Sequence, residues 1–202
     1  AVPIPADVSK ESLIAEMKVA RAFYYWQVID NFGDAPFVTT ISQDLPGSTP
    51  RKVIYDAIVG DIVSSLDKLS PDNNKLMYGR FNKWAAKALL ASLYLNAEVY
   101  TGTPAWDKCL AECNDIIASG KYSLEPNYGD CFKANNENSI ETVFAIPMDE
   151  KNGSTVYINS TLHASSKLKY NLRTTPYGAG GIKAIAQFID TYDPEDSRID
   201  DT

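Results

Sequence analysis

The sequence predicts a mainly α-helical protein built of helical hairpins, with a short β element and a long irregular loop. Three observations predict it. Apolar residues recur at helical spacing in four successive segments between residues 9 and 120. Turn formers separate those segments: Gly33, the run Ser70-Pro71-Asp72-Asn73-Asn74, Gly102 and Gly120. The stretch 148–181 has no sustained period and is rich in Asn, Ser, Thr, Tyr and Gly.

The first helix is expected over 9–31, opening at Ser9 with Glu11 in its first turn and stopping at Gly33. Thr49-Pro50 reads as an N-cap followed by proline at the first helical position. The second helix then carries Val53, Ile54, Ala57, Ile58, Ile62, Leu66 and Leu69 along one side. A third runs from Asn82 to about Tyr100, closed by Gly102. Thr103-Pro104 repeats the cap-and-proline device before a fourth helix ending at Ser119-Gly120. IETVFAIP, residues 140–147, reads as the strand, and a final helix is expected from Ile182 to about Tyr192. One domain over 1–202 is expected, with 9–120 a helical-repeat scaffold and 140–202 the strand, loop and last helix.

Residues 23–26 are four consecutive aromatics, Phe-Tyr-Tyr-Trp. Helical residues advance by about 100° each, so these rings point to nearly every side and form no flat platform. A helix apolar most of the way round is buried, which assigns Phe23, Tyr24 and Trp26 to the core. In the third helix the small residues Ala85, Ala88, Ala91 and Ser92 alternate with leucines, so a neighbour approaches closely. Trp106, Cys109, Leu110, Cys113, Ile116 and Ile117 supply the facing stripe. Leu90, Ala91 and Tyr94, with Cys109 and Cys113 on the second helix, fit the tetratricopeptide-like hairpin, a spacing that an unrelated helical bundle also imitates.

A net charge of −7 and a pI near 4.7 exclude a surface for nucleic acid or anionic membrane, which needs clustered Lys and Arg. No apolar run reaches the roughly 20 residues of a spanning helix. Cys109 and Cys113 lie four apart in a predicted helix, poor geometry for a disulfide. With one His in the chain they make half a zinc site, so buried free thiols and no metal are expected. No G-x-S-x-G elbow, H-E-x-x-H pair or P-loop occurs. Acid–base chemistry falls to Asp149 with Glu150, or to Asp193, Glu195 and Asp196, and adjacent acids in a tail are usually a solvated face. An enzyme is therefore not expected, nor a cofactor. Asn152-Gly-Ser and Asn159-Ser-Thr match the glycosylation triplet, which chance produces often.

Five stretches in order carry a resemblance: ARAFYYWQVIDNFGDAPFVT, GRFNKWAAKALLASLYLNAEVYTG, WDKCLAECNDIIASGKYSL, IETVFAIP and TYDPEDSRID. Together they resemble the SusD/RagB family of outer-membrane glycan-binding lipoproteins of Bacteroidetes, over about Glu11 to Asp200. The resemblance implies a scaffold of tetratricopeptide-like pairs that docks on a SusC-type TonB-dependent transporter, and a second, irregular face that captures glycan without enzymatic chemistry. It implies surface exposure at the outer membrane through a lipid anchor. None of the three cysteines sits where such an anchor is expected, and the family is usually more than twice as long, so the chain looks like the middle of such a protein.

Sugar recognition needs exposed flat rings beside fixed donors and acceptors, held on loops over a rigid scaffold. The 148–181 segment has that mixture. Tyr157, Tyr170 and Tyr177 are the ring candidates, and Asn152, Asn159, His163, Asn171 and Arg173 the hydrogen-bonding ones. The competing reading is a tetratricopeptide-like adaptor binding peptide on its helices, and the three tyrosines equally suit packing of the loop.

Overall fold

The structure, a computed structural model, describes residues 9–41, 45–133, 135–148, 162–176 and 185–196. It falls into two compact units, one of Ala1–Glu125 with Asn135–Ala145 and one of Pro126–Ala134 with Ile146–Thr202.

In the first unit α1 is Lys10–Phe32. Ser9 caps it, accepting from the Ser12 N–H at 3.3 Å, and Gly33 ends it with φ of 76°, a left-handed value that glycine reaches without a Cβ clash. Ala15, Val19, Ala22 and Ile29 recur on one side of α1 and are buried. Two short strands follow, β1 (Ala35–Pro36) and β2 (Ser48–Thr49), paired antiparallel. α2 (Arg51–Val63) buries Ile54, Tyr55, Ile58 and Ile62 against α1. α3 (Lys83–Leu95) is buried on most sides through Ala85, Ala86, Leu89, Leu90, Leu93 and Tyr94. Asn82 caps α3, accepting from the Ala85 N–H at 2.8 Å. α4 (Ala97–Thr101) follows, ended by Gly102 at φ 80°. α5 (Trp106–Ala118) packs chiefly on α3.

Among its described residues the second unit has two short α-helices, α6 (Ser166–Lys169) and α7 (Ala186–Ile189). Of the final helix expected from Ile182 to about Tyr192, residues 182–184 lie outside the described residues, and α7 starts at Ala186 and stops at Ile189.

The mainly helical architecture and the first three helix starts follow the sequence, but several expectations are corrected. Residues 140–147 form no strand. The segment is instead clasped by side chains: the Ile140 N–H donates to Glu125 at 2.9 Å, the Glu125 N–H to Glu141 at 3.1 Å, and the Ser123 N–H to the Ile140 carbonyl at 3.2 Å. Phe144 stacks on Phe81 with centroids 4.2 Å apart, and both rings meet Phe23. An apolar run reads as a strand from its side chains alone. Among the described residues no neighbouring strand offers it a ladder, and the aromatic core takes its one large ring.

Tyr24 is 64% exposed, while Phe23, Tyr25 and Trp26 are partly buried against the core. The four rings do radiate, and α2 and α3 cover only part of the circle. The helix expected over 82–100 breaks at Asn96, whose backbone leaves the helical region, into α3 and α4. Thr49 and Thr103 are not caps. Asp34 serves α2 in place of Thr49, accepting from the Arg51 N–H at 2.7 Å, and α5 starts two residues after Pro104 with no side-chain cap. Trp106, Leu110 and Ile117 are exposed rather than facing α3, so α5 engages through the half-buried Cys109, Cys113 and Ile116. Val53 is likewise exposed.

Charge adds to that apolar contact between these two helices. Lys87 of α3, itself buried, donates from Nζ to Glu112 and to Asp115 of α5, each at 2.7 Å. Burial pushes the Lys87 pKa down, but the two carboxylates outweigh it and hold it above the ordinary lysine value. Elsewhere buried Glu16 of α1 is bound by Arg80, Nε at 3.0 Å with the second guanidinium nitrogen on the other oxygen. Asp61 of α2 is held by Arg21 and, at 3.4 Å, by Lys18. Tyr100 accepts from the Trp26 indole at 3.2 Å and donates to Asp30 at 2.6 Å.

Candidate functional site

Of the eight site residues read from the sequence, Tyr157, Tyr177, Asn152 and Asn159 lie outside the described residues. His163, Tyr170, Asn171 and Arg173 are brought onto one compact turn of the second unit. The turn is built by its own backbone: Ser166 N–H donates to the His163 carbonyl at 3.0 Å, Tyr170 N–H to Ser166 at 3.0 Å, and Leu172 N–H to Lys167 at 3.0 Å. Asn171 ends it at φ 49°, the left-handed region that asparagine tolerates better than most residues.

At the start of the turn His163 Nδ1 accepts from the Ser165 N–H at 3.2 Å and lies 2.9 Å from the Ser165 hydroxyl. A neutral ring with Nδ1 accepting carries its proton on Nε2. Tyr170 is 49% exposed, with the Lys169 ammonium 5.0 Å from its ring centroid. Asn171 and Arg173 are exposed beside it. The turn thus offers one half-open ring with amide, guanidinium and imidazole groups at the surface, a set able to hold a hydroxyl-rich ligand.

Two clefts in the first unit were not foreseen from the sequence. The smaller, about 260 Å³, lies among the 73–82 loop, Lys121-Tyr122 and the 137–145 segment. Its polar groups are engaged with one another and with the core. Asn73 donates to the Lys121 carbonyl at 2.6 Å, Asn82 to the Asp72 carbonyl at 2.9 Å and to the Tyr122 hydroxyl at 3.3 Å, and Arg80 is spent on Glu16. This cleft is a seam that holds three segments together.

The larger cleft, about 510 Å³, is lined by α2, the end of α3, α4 and the start of α5. Tyr55 and Tyr94 sit in its wall at 6% and 7% exposure, and Trp106 stands at its rim, 59% exposed. Burial pushes the Tyr55 phenol up to about 12, with charge on Tyr94 and Asp56 adding to the effect, and burial raises Tyr94 too. Both phenols therefore stay protonated at neutral pH. The signal for this site was the pattern of tyrosines at 55 and 94 on otherwise aliphatic faces, which pattern reasoning absorbs into the core.

Comparison with known proteins bears on both units. Residues 5–95 match a SusD-like family described as starch-binding and associating with the outer membrane. A SusD-like protein of Formosa agariphila is 30% identical over 148 residues, 70% of this chain and 26% of that protein. The starch-binding protein SusD of Bacteroides thetaiotaomicron is 34% identical over 132 residues, 64% of this chain and 24% of that protein. The chain spans about a quarter of the length of these relatives. Among solved structures, surface glycan-binding protein A of Bacteroides thetaiotaomicron, in complex with laminarihexaose, superposes with a TM-score of 0.76 at 23% identity, covering 96% of this chain and 43% of that one. A SusD-like protein of Bacteroides fragilis superposes with a TM-score of 0.71 at 19% identity, covering 93% and 37%.

Proposed function

The chain belongs to the SusD-like family, and from that premise we propose that it captures glycan at the outer membrane without transforming it, for delivery to a SusC-type TonB-dependent transporter. The observation that carries this reading is the 34% identity to a starch-binding protein over 132 residues, 64% of this chain. The fold shared with a laminarihexaose-bound protein supports it. Glycan contacts are assigned to Tyr157, Tyr170 and Tyr177, with Asn152, Asn159, His163, Asn171 and Arg173 holding hydroxyls. The half-open Tyr170 ring beside exposed Asn171 and Arg173 supports that assignment.

Among the described acids, the Asp193 carboxylate accepts from the Glu195 N–H at 2.9 Å and closes its own turn. Calorimetry with maltohexaose and laminarihexaose, run on the full-length protein and its Tyr170→Ala, Tyr177→Ala variant, tests the site. Loss of affinity is expected, and unchanged affinity in a folded variant contradicts the assignment. Co-purification with a transporter barrel tests delivery.

A further inference from the structure

The larger cleft of the first unit has properties that scaffold packing does not require. Tyr55 and Tyr94 are nine-tenths buried, yet neither hydroxyl has a hydrogen-bond partner among the described residues. Neither is sealed from solvent, since the one buried side-chain polar atom without a partner is Arg21 Nε among those residues. Both tyrosines line the cleft, and each hydroxyl keeps some contact with solvent. A buried tyrosine usually finds a protein partner for its hydroxyl, as Tyr100 does in Asp30 at 2.6 Å. Two phenols left open in one wall are what a ligand with hydroxyls would complete.

The rest of the lining narrows the ligand. Trp106, at the mouth, exposes a large flat ring that the helix pair does not use. Such a ring takes the C–H face of a pyranose. The charged groups cancel: Lys52 and Lys108 stand with Asp56 and Asp107, Lys52 pairs with Asp56 at 2.6 Å, and Lys108 lies 5.6 Å from the Tyr94 ring centroid. A strongly acidic or basic ligand is disfavoured there, and a neutral one is not. The volume of about 510 Å³ is within the range of small-molecule sites.

We propose that this cleft is a neutral-saccharide subsite, in which Trp106 stacks on a sugar ring and the Tyr55 and Tyr94 hydroxyls hold its hydroxyl rim. The proposal rests on the glycan-capture reading, and adds to the 148–181 contacts a second place on the same chain where sugar is held.

Trp106 also reports on the test. Maltohexaose and laminarihexaose are titrated into the full-length protein, followed by tryptophan fluorescence and, in parallel, by calorimetry. A saturable emission change is expected in the wild type and in Trp26→Phe or Trp84→Phe, and its loss in Trp106→Phe. Tyr55→Phe and Tyr94→Phe, which remove one oxygen each from rings that stay packed, are expected to weaken the fluorescence-detected binding about three- to tenfold. Calorimetric binding with no Trp106 response, or a response unaltered by both phenol variants, overturns the subsite while leaving glycan capture standing. Absence of any calorimetric binding overturns capture and the subsite with it. A Trp106 response to a mixed-sequence peptide library and not to either sugar makes the cleft a peptide groove and overturns the proposal.

Discussion

Replacing Lys87 by Met isolates what holds α5 to the scaffold. α5 has no fully buried side chain, and Lys87 reaches it through two 2.7 Å contacts. At 2.7 Å and an effective dielectric of about 20, the gross attraction to Glu112 is about 6 kcal/mol. Desolvation of the ammonium opposes that gain, and breaking a buried pair by removing one partner costs about 3–5 kcal/mol. Glu112 keeps some solvent, which lowers the expected loss to about 2–3 kcal/mol, and surface-exposed Asp115 is given no share. Urea denaturation of the wild type and Lys87→Met measures it.

The pH dependence supplies a second reading of the same pair. Lys87 has a raised folded pKa, so its contribution is complete below the unfolded lysine value of about 10.4 and fades as pH rises through the higher folded value. Asp115 is lowered, first by its hydrogen bond to Lys87, so its contribution is present above about pH 3.9 and fades as pH falls through the folded value. Lys87→Met should flatten both limbs of the stability–pH curve. A loss under about 0.5 kcal/mol, or unchanged acid and alkaline limbs, refutes the clasp.

Three further outcomes are expected. Phe144→Ala removes the ring stacked on Phe81 and should cost about 2–4 kcal/mol, less than a fully buried Phe because Phe144 is half-exposed; amide exchange at Ser123, which donates to Ile140, should accelerate with it. Tyr100→Phe should cost about 1–2 kcal/mol in urea denaturation, leaving the Trp26 indole and Asp30 without their shared partner. Gly102→Ala forces a Cβ into φ 80° and should lower stability by about 1 kcal/mol by thermal unfolding, although nothing crowds the added carbon.

The scaffold was legible where the signal is local. Ser9 as a cap, Asn82 as a helix start, Gly33, Gly102 and Gly120 as stops, and the Leu89-Leu90-Leu93 face of α3 were all readable from spacing and backbone preference. Features that depend on a remote partner were not. IETVFAIP has a strand's side chains, but a strand exists only if another pairs with it, and Phe81 and Glu125 decide otherwise. Tyr24 and Trp106 look like core residues from composition, and which side of a helix is left uncovered depends on the helices around it. The hydroxyls of Tyr55 and Tyr94, without a hydrogen-bond partner among the described residues, show the same limit, because sequence records the donor and not the missing acceptor. On the 163–173 turn, proximity in sequence did give proximity in space, since Tyr170, Asn171 and Arg173 share one backbone-bonded turn.

Calorimetry of the full-length protein with maltohexaose and laminarihexaose, each sugar recovered afterwards and sized by mass spectrometry, tests glycan capture most directly. Saturable binding with the recovered oligosaccharide intact is the expected result. No heat of binding with any glycan of a broad panel, or recovery of shortened sugars, contradicts it.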